Sequence, residues 1–319
     1  MSETDNVKKP SPESIQEAAD LLNAGQLVSF STETVYGLGA DATNDVAVAS
    51  IFEAKGRPSF NPLIVHVPSI DAAKELVEFS PLALKIANMF WPGPLTMVLP
   101  RRDTCPVSKL ASAGLPTLAI RVPAHPTAHQ LLTACKCPVA APSANPSGQI
   151  SPTTAEHVRD GLGDKVSLIL DGGPAEVGVE STVIAVTDEK ITLLRPGGIT
   201  REDLEKATGS EVAVASKDSE ITSPGMLLSH YAPSCPVRLE AKSKNEGEAF
   251  LGFGPGSEDF ETLNLSPKGD LKEATANLFA MFHQLDKTNA KTIAVASVPN
   301  AGLGVAINDR LKRAAAPRG

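Results

Sequence analysis

Apolar and polar positions alternate between two periods along this chain, and the switches mark its elements. Ser11-Pro12-Glu13 starts a helix over ESIQEAADLLNA, with serine as N-cap and proline at the first helical position, and Gly25 stops it. QLVSFST then reads as a strand. Asn44 caps a second helix in which Val48, Ile51 and Phe52 share a face; Gly56 supplies its left-handed end, and Arg57-Pro58 forbids continuation. PLIVHV, LTMVLP, TLAIRVP, PVAAP, SLILDGG, ESTVIAVT and ITLLRPG predict further strands, interleaved with helices over PLALKIANMF and PTAHQLLTAC. Period-two geometry sets Leu118, Ile120 and Val122 opposite Thr117 and Arg121, and sets His66 opposite Leu63, Val65 and Val67. The alternation predicts an α/β layer fold. After Gly209 the pattern breaks into a polar, proline-containing stretch too long for a routine connection. Beyond it FLGFGP, ETLNLS and TIAVASVP read as strands, Asp270 to Asn289 as a long amphipathic helix, and GVAINDRLKRAAA completes a smaller α/β unit.

Length agrees with this division, since 319 residues exceed what one compact core usually holds. A formal charge of −8 argues against a surface built throughout for nucleic acid, though it leaves room for a local basic pocket. Four cysteines, with Cys135 and Cys137 one residue apart, give neither a disulfide framework nor a CxxC zinc pattern. With no apolar signal core at the N-terminus and no run near the ~20 residues that span a bilayer, a cytoplasmic protein without a membrane anchor is expected.

The candidate chemistry is cationic and polar. Gly37-x-Gly39-x-x-Ala42 matches a relaxed dinucleotide fingerprint, but Glu33 to Tyr36 separate it from the strand and the helix starts only at Asn44, so a tight turn is the stronger reading. Lys55 and Arg57 alone read as solvated helix-end charges. Arg121 and Arg195, each on or after a strand, add the alternative of a shared anionic ligand such as a triphosphate. Ser143, Asn145, Ser147 and Ser151 lie in PSANPSGQISPT, which by composition is also simply a turn. No GxSxG elbow, P-loop or HExxH is present, so a protein nucleophile has no support.

Seven ordered segments, STETVYGLGADA, KGRPSFNPLIVHV, FWPGPLTMVL, LAIRVPAHP, APSANPSGQISPT, GVESTVI and LLRPGGI, resemble the YrdC-like threonylcarbamoyl-AMP synthases. SPGMLLSHYAP and GLGVAINDRLKRAA resemble the longer, two-domain members, with a departure at Leu227 to Ser229 where other members often carry a basic residue. The resemblance implies a twisted mixed sheet with flanking helices and a large concave pocket over residues 1–209, a linker and lid over 210–235, and a smaller Rossmann-like α/β domain over 236–319. It implies condensation of L-threonine, bicarbonate or CO2, and ATP to threonylcarbamoyl-AMP and pyrophosphate, with Mg2+ bound mainly through the ATP phosphates. A partner transferase then modifies adenosine 37 of tRNAs reading codons that start with A, and direct tRNA contact is expected to be weak. By motif position Thr34, His66, Arg121 and Ser181 fall to threonine, Lys55, Arg57 and Asn61 to the phosphates, and Thr117, Ser143, Asn145, Ser151 and Arg195 to the nucleotide. Lys55 and Arg57 also stabilise charge, and Tyr231 closes over ATP. The rival readings are a carbamoyl-adenylating enzyme, a non-catalytic RNA-binding module, and a C-terminal unit that only docks the transferase.

Overall fold

A computed structural model describes residues 6–215, 230–256 and 262–317. Most of the expected lid, including Leu227 to Ser229, lies outside the described residues, as does Glu261 of the strand read from ETLNLS.

The first part of the chain runs β1 (Val7–Lys8), α1 (Pro12–Asn23), β2 (Val28–Phe30), β3 (Gly37–Asp41), α2 (Asp45–Lys55), β4 (Ile64–His66), α3 (Ile70–Lys74), α4 (Pro81–Phe90), β5 (Leu95–Pro100), β6 (Thr117–Arg121), α5 (Pro126–Ala134), β7 (Val139–Ala140), α6 (Ala155–Leu162), β8 (Leu168–Leu170), β9 (Thr182–Val186), β10 (Ile191–Arg195), α7 (Arg201–Thr208) and β11 (Val212–Val214). Its strands form one mixed sheet in the order β1-β8-β2-β3-β7-β4-β6-β5-β9-β10-β11. The expected caps are in place. Ser11 accepts from the Ser14 amide, Asn44 from the amides of Val46 and Ala47, and Gly56 is left-handed at φ 60°.

Two expectations change. Gly37 and Gly39 belong to β3, antiparallel to β2, rather than to a turn. A Cβ at Gly39 would stand 2.9 Å from Val139 Cγ1 and 3.0 Å from the Phe30 ring, so the glycine permits close packing within a strand. Val212–Val214, expected inside the linker, pairs parallel with β10 as an edge strand of the large sheet.

Helices cover the sheet unequally. One face packs α2, α4 and α6 into the main core through Val48, Ile51, Ile86 and Val158; α1 and α5 pack on β2 and β8 through Leu22, Leu131 and Leu170. Near the sheet centre the opposite face holds only a small apolar patch, Ile64, Val98, Ala119 and Val183. By strand alternation His66, Thr96, Arg121 and Ser181 share that face. Among the described residues, polar side chains therefore gather on that face beside the small apolar patch.

The remaining elements are β12 (Val237–Arg238), β13 (Glu248–Gly252), β14 (Leu263–Asn264), α8 (Leu271–Asp286), β15 (Thr292–Val295) and α9 (Leu303–Ala314). Here the strands form a parallel sheet, β12-β15-β13-β14, as a Rossmann-like unit requires. Its core, with Leu278, Phe282, Ile307 and Leu311, also takes in Val35, Ile150, Val179 and Tyr231, so the two sheets share buried apolar contacts.

Candidate active site

At the ends of β4, β6, β9 and β10 the large sheet opens into a cavity enclosing about 560 Å³ of non-protein space, part of it open to solvent. Thr34, Arg57, His66, Arg121, Ser143, Ser181, Arg195 and Tyr231 line it together, although up to 197 positions separate them in the chain. Strand alternation aims His66 and Arg121 inward from the adjacent parallel strands β4 and β6, where they are register partners. Arg195 arrives at the end of β10, and Arg57 immediately follows the Gly56 cap of α2.

The other expected residues sit differently. Lys55 is buried behind the cavity, its ammonium donating to the carbonyls of Ser143 (2.6 Å) and Asn145 (2.5 Å), so it pins the loop that carries Ser143. Lys55 and Arg57 are thus not solvated helix-end charges. Asn61 is fully buried, and neither atom of its side-chain amide has a partner among the described residues. Asn145 is buried with its amide nitrogen donating to the carbonyls of Pro146 and Gln149. Ser151 donates to Glu180. Thr117 lies at the opposite end of β6 from Arg121, paired with Pro100, and does not line the cavity.

The threonyl and guanidinium groups are tied to one another. Arg121 donates from Nη1 to Thr34 Oγ1 (2.9 Å), from Nη2 to Glu33 Oε1 (2.6 Å) and from Nε to the Gly93 carbonyl (3.2 Å). Arg195 donates from Nε and Nη2 to the Ser181 carbonyl (3.1 and 2.9 Å) and from Nη2 to the Ser181 hydroxyl (3.2 Å), which in turn lies 2.8 Å from Thr96 Oγ1. Arg57 reaches the carbonyls of Asn61 (3.3 Å) and Pro62 (3.1 Å). The cations are thus held by loop backbone and hydroxyls instead of being spent wholly on carboxylates.

Burial sets the charge states. It lowers Arg57 to about 10 against the pull of Tyr231, with Arg195 adding repulsion; the side chain remains a cation at neutral pH. Burial, then Arg57, pushes Lys55 well below its ordinary value. His66 falls to about 3 through burial and then Arg121, so its ring is neutral and offers a hydrogen bond without a charge. Burial would raise Glu180, but Arg310 and Arg195 hold it below the usual carboxylate range. Several cations, with Glu33 and Glu180 as carboxylate partners, all screened from water, suit a polyanionic ligand beside a small polar one.

Sequence reasoning missed Glu33, Glu180, His230 and Arg310. Glu33 pairs with Arg121 across 88 positions and Glu180 with Arg310 across 130, and such pairs leave no local signature. His230 stands next to Tyr231 in the cavity wall and carries no spacing signal of its own.

Comparison with known proteins decides the family. Residues 20–197 match the model of the Sua5/YciO/YrdC family, described as "Telomere recombination", and residues 199–316 match the model described as "Threonylcarbamoyl-AMP synthase, C-terminal domain". The chain belongs to the Sua5/YciO/YrdC family. Among Sua5-type relatives, the threonylcarbamoyl-AMP synthase of Pyrococcus abyssi is 42% identical over 95% of this chain and 94% of its own length. The threonylcarbamoyl-AMP synthase of Bacillus subtilis is 39% identical over 99% and 96%. The crystal structure of P. abyssi Sua5 complexed with L-threonine superposes with a TM-score of 0.87 at 39% identity, covering 97% of this chain and 96% of that one. Escherichia coli YciO, at 22% identity and a TM-score of 0.53, shares the fold of the first part.

Proposed function

We propose that this chain is an L-threonylcarbamoyladenylate synthase, a nucleotidyltransferase that joins L-threonine, bicarbonate or CO2, and ATP, and releases pyrophosphate. The observation that carries the reading is the convergence of Arg57, Arg121 and Arg195 with Thr34, His66 and Ser181 on one cavity, in a chain alike over nearly its full length to synthases of that name.

Two steps make up the reaction. The threonine amine attacks CO2, forming an N–C bond and releasing a proton; a carbamate oxygen then attacks the α-phosphorus of ATP as the bond to pyrophosphate breaks. Because the substrate brings its own nucleophile, the chain has to align the reactants and offset developing negative charge. Arg121 and Thr34 take the threonine carboxylate, and neutral His66 and the Ser181 hydroxyl face its remaining polar groups. Arg57 and Arg195 stand toward the phosphates, with Asn61 offering an unengaged amide. Lys55 serves through the Ser143 loop, whose hydroxyl and amides meet the nucleotide, and Asn145 and Ser151 support the same side. Thr117, at the far end of β6 and outside the cavity lining, is assigned no contact with the nucleotide.

Mg2+ enters as part of the Mg·ATP substrate. Among the described residues no group of three His, Cys, Asp or Glu is placed to hold a metal ion, and Glu180 is engaged by Ser151 and Arg310. The product passes to a transferase that modifies adenosine 37 of tRNA. Among the described residues no helix is long and apolar enough to cross a membrane.

Purified protein given ATP, Mg2+, bicarbonate and one amino acid at a time tests the reading. Pyrophosphate release should require L-threonine and be far slower with serine. Equal release with carbamoyl phosphate and no threonine would instead favour a carbamoyl-adenylating enzyme.

A further inference from the structure

Arg310 of α9 is a fully buried cation, and its partners lie mostly outside its own unit. Its Nε donates to Glu180 Oε2 (2.9 Å), and its Nη1 donates to the Pro196 carbonyl (2.8 Å) and to Asp309 Oδ2 (2.8 Å). Its guanidinium carbon lies 5.2 Å from the centroid of the Tyr231 ring. Glu180 directly precedes Ser181 at the start of β9, and Pro196 directly follows Arg195 at the end of β10. One side chain from helix α9 of the second unit thus fastens both strand ends that deliver the Ser181–Arg195 pair, together with an aromatic wall of the cavity.

Tyr231 needs such fastening. It holds a left-handed backbone at φ 64°, unusual for a bulky residue, while its ring is buried between Arg310 and Phe279. Its neighbours are tied as well, His230 N–H to the Arg313 carbonyl (3.3 Å) and Ala232 N–H to the Gly148 carbonyl (2.8 Å).

Electrostatics gives Arg310 a second task. Two buried cations, Arg310 in direct contact and Arg195 through its charge, favour the ionised form of the Glu180 carboxyl. Burial works against the charge on Arg310, but Tyr231, Glu180 and Asp309 raise it above its ordinary range, so it stays cationic. Arg310 donates to Glu180 Oε2 and Ser151 to Oε1, so each carboxylate oxygen has a donor while Arg195 donates to Ser181. Were Arg310 lost, Glu180 would be left as a buried anion acting on the remaining buried cations, Arg195 and Lys55.

We propose that Arg310 is a positioning residue of the ATP site: by engaging Glu180, the Pro196 carbonyl and the Tyr231 ring, it keeps Arg195 available to the nucleotide phosphates. The C-terminal unit is then a working part of the adenylation site instead of an appended docking module. This rests on the function proposed above, but ATP binding by itself tests it.

The experiment measures ATP affinity and threonine affinity by calorimetry on the full chain as wild type, Arg310→Met, Arg310→Lys and Arg310→Met/Glu180→Gln, with melting temperature as a control. Arg310→Met should weaken ATP binding at least tenfold and threonine binding, which also draws on Ser181, by a clearly smaller factor. Removing the competing charge in Arg310→Met/Glu180→Gln should restore a substantial part of the ATP affinity, which a merely structural role for Arg310 would not do. Arg310→Lys should fall between wild type and Met, and it carries the test alone if the Met variant does not fold. Unchanged ATP affinity in the Met or Lys variant overturns the proposal, as does equal loss for both ligands with no recovery in the double variant. A wild type that binds ATP but makes no threonine-dependent pyrophosphate would sink the functional reading, while the ATP affinities would still decide the role of Arg310.

Discussion

Arg57→Ala probes the proposed phosphate side of the cavity most cleanly. The guanidinium is buried, remains cationic although burial lowers it to about 10, and makes two bonds to carbonyls of its own loop, at 3.3 and 3.1 Å. A charge-assisted hydrogen bond to a phosphate contributes about 1.5–3 kcal/mol, so its loss should raise the ATP requirement about ten- to hundredfold. The Asn61 and Pro62 carbonyls lose a donor in the same change, and stability should fall by about 1–3 kcal/mol. Arg57→Lys keeps the charge but not the fork, and should lie between. Initial rates of pyrophosphate release, with ATP and threonine varied separately and thermal melts alongside, read both effects. If the half-saturating ATP concentration moves by less than about threefold, or threonine's moves equally, the assignment of Arg57 to the phosphates fails.

Arg121→Ala should raise the threonine requirement by a similar factor and, by stranding buried Glu33, cost about 3–5 kcal/mol of stability; threonine calorimetry and melting curves separate the two. His66 and His230 both sit near 3 in the folded chain, chiefly through burial, against about 6.5 unfolded. Their depressed folded values mean that the unfolded chain binds protons first, so stability is full above about pH 6.5 and falls toward pH 3, losing about 2 kcal/mol per ring by about pH 5. Denaturant midpoints across that range should show this loss, and replacing His66 by Gln should reduce the slope. Gly178→Ala should loosen the packing between the two sheets: an added Cβ would stand 2.4 Å from the Ala276 carbonyl of α8, at a backbone φ of 76°. A destabilisation of about 1–3 kcal/mol is expected, read by calorimetry.

How much of this was legible in the sequence varied with the range of the interaction. Helix ends at Ser11, Asn44 and Gly56 follow from short-range backbone bonding, and the inward aim of His66 and Arg121 from strand alternation alone. The glycines of β3 misled because a GxG near a strand end suggests a turn, whereas here they let Phe30 and Val139 approach. β11 was hidden in polar surroundings, although its V-A-V pattern fits a short edge strand. Lys55 and Arg57 were legible as candidate ligand cations once Arg121 and Arg195 were counted with them, but their carbonyl partners and their burial come from loops that local pattern does not place. Glu33, Glu180 and Arg310 lay beyond reach for the same reason, each defined by a partner far along the chain.

The central claim is that one cavity brings a threonine carbamate onto the α-phosphorus of ATP. Carbon-labelled bicarbonate, L-threonine and ATP incubated with the purified chain and resolved by mass spectrometry test it directly. An adenylate containing both threonine and the labelled carbon, formed in step with pyrophosphate, is the predicted result; pyrophosphate and AMP with no threonine-bearing adenylate, or an adenylate without the label, would contradict it.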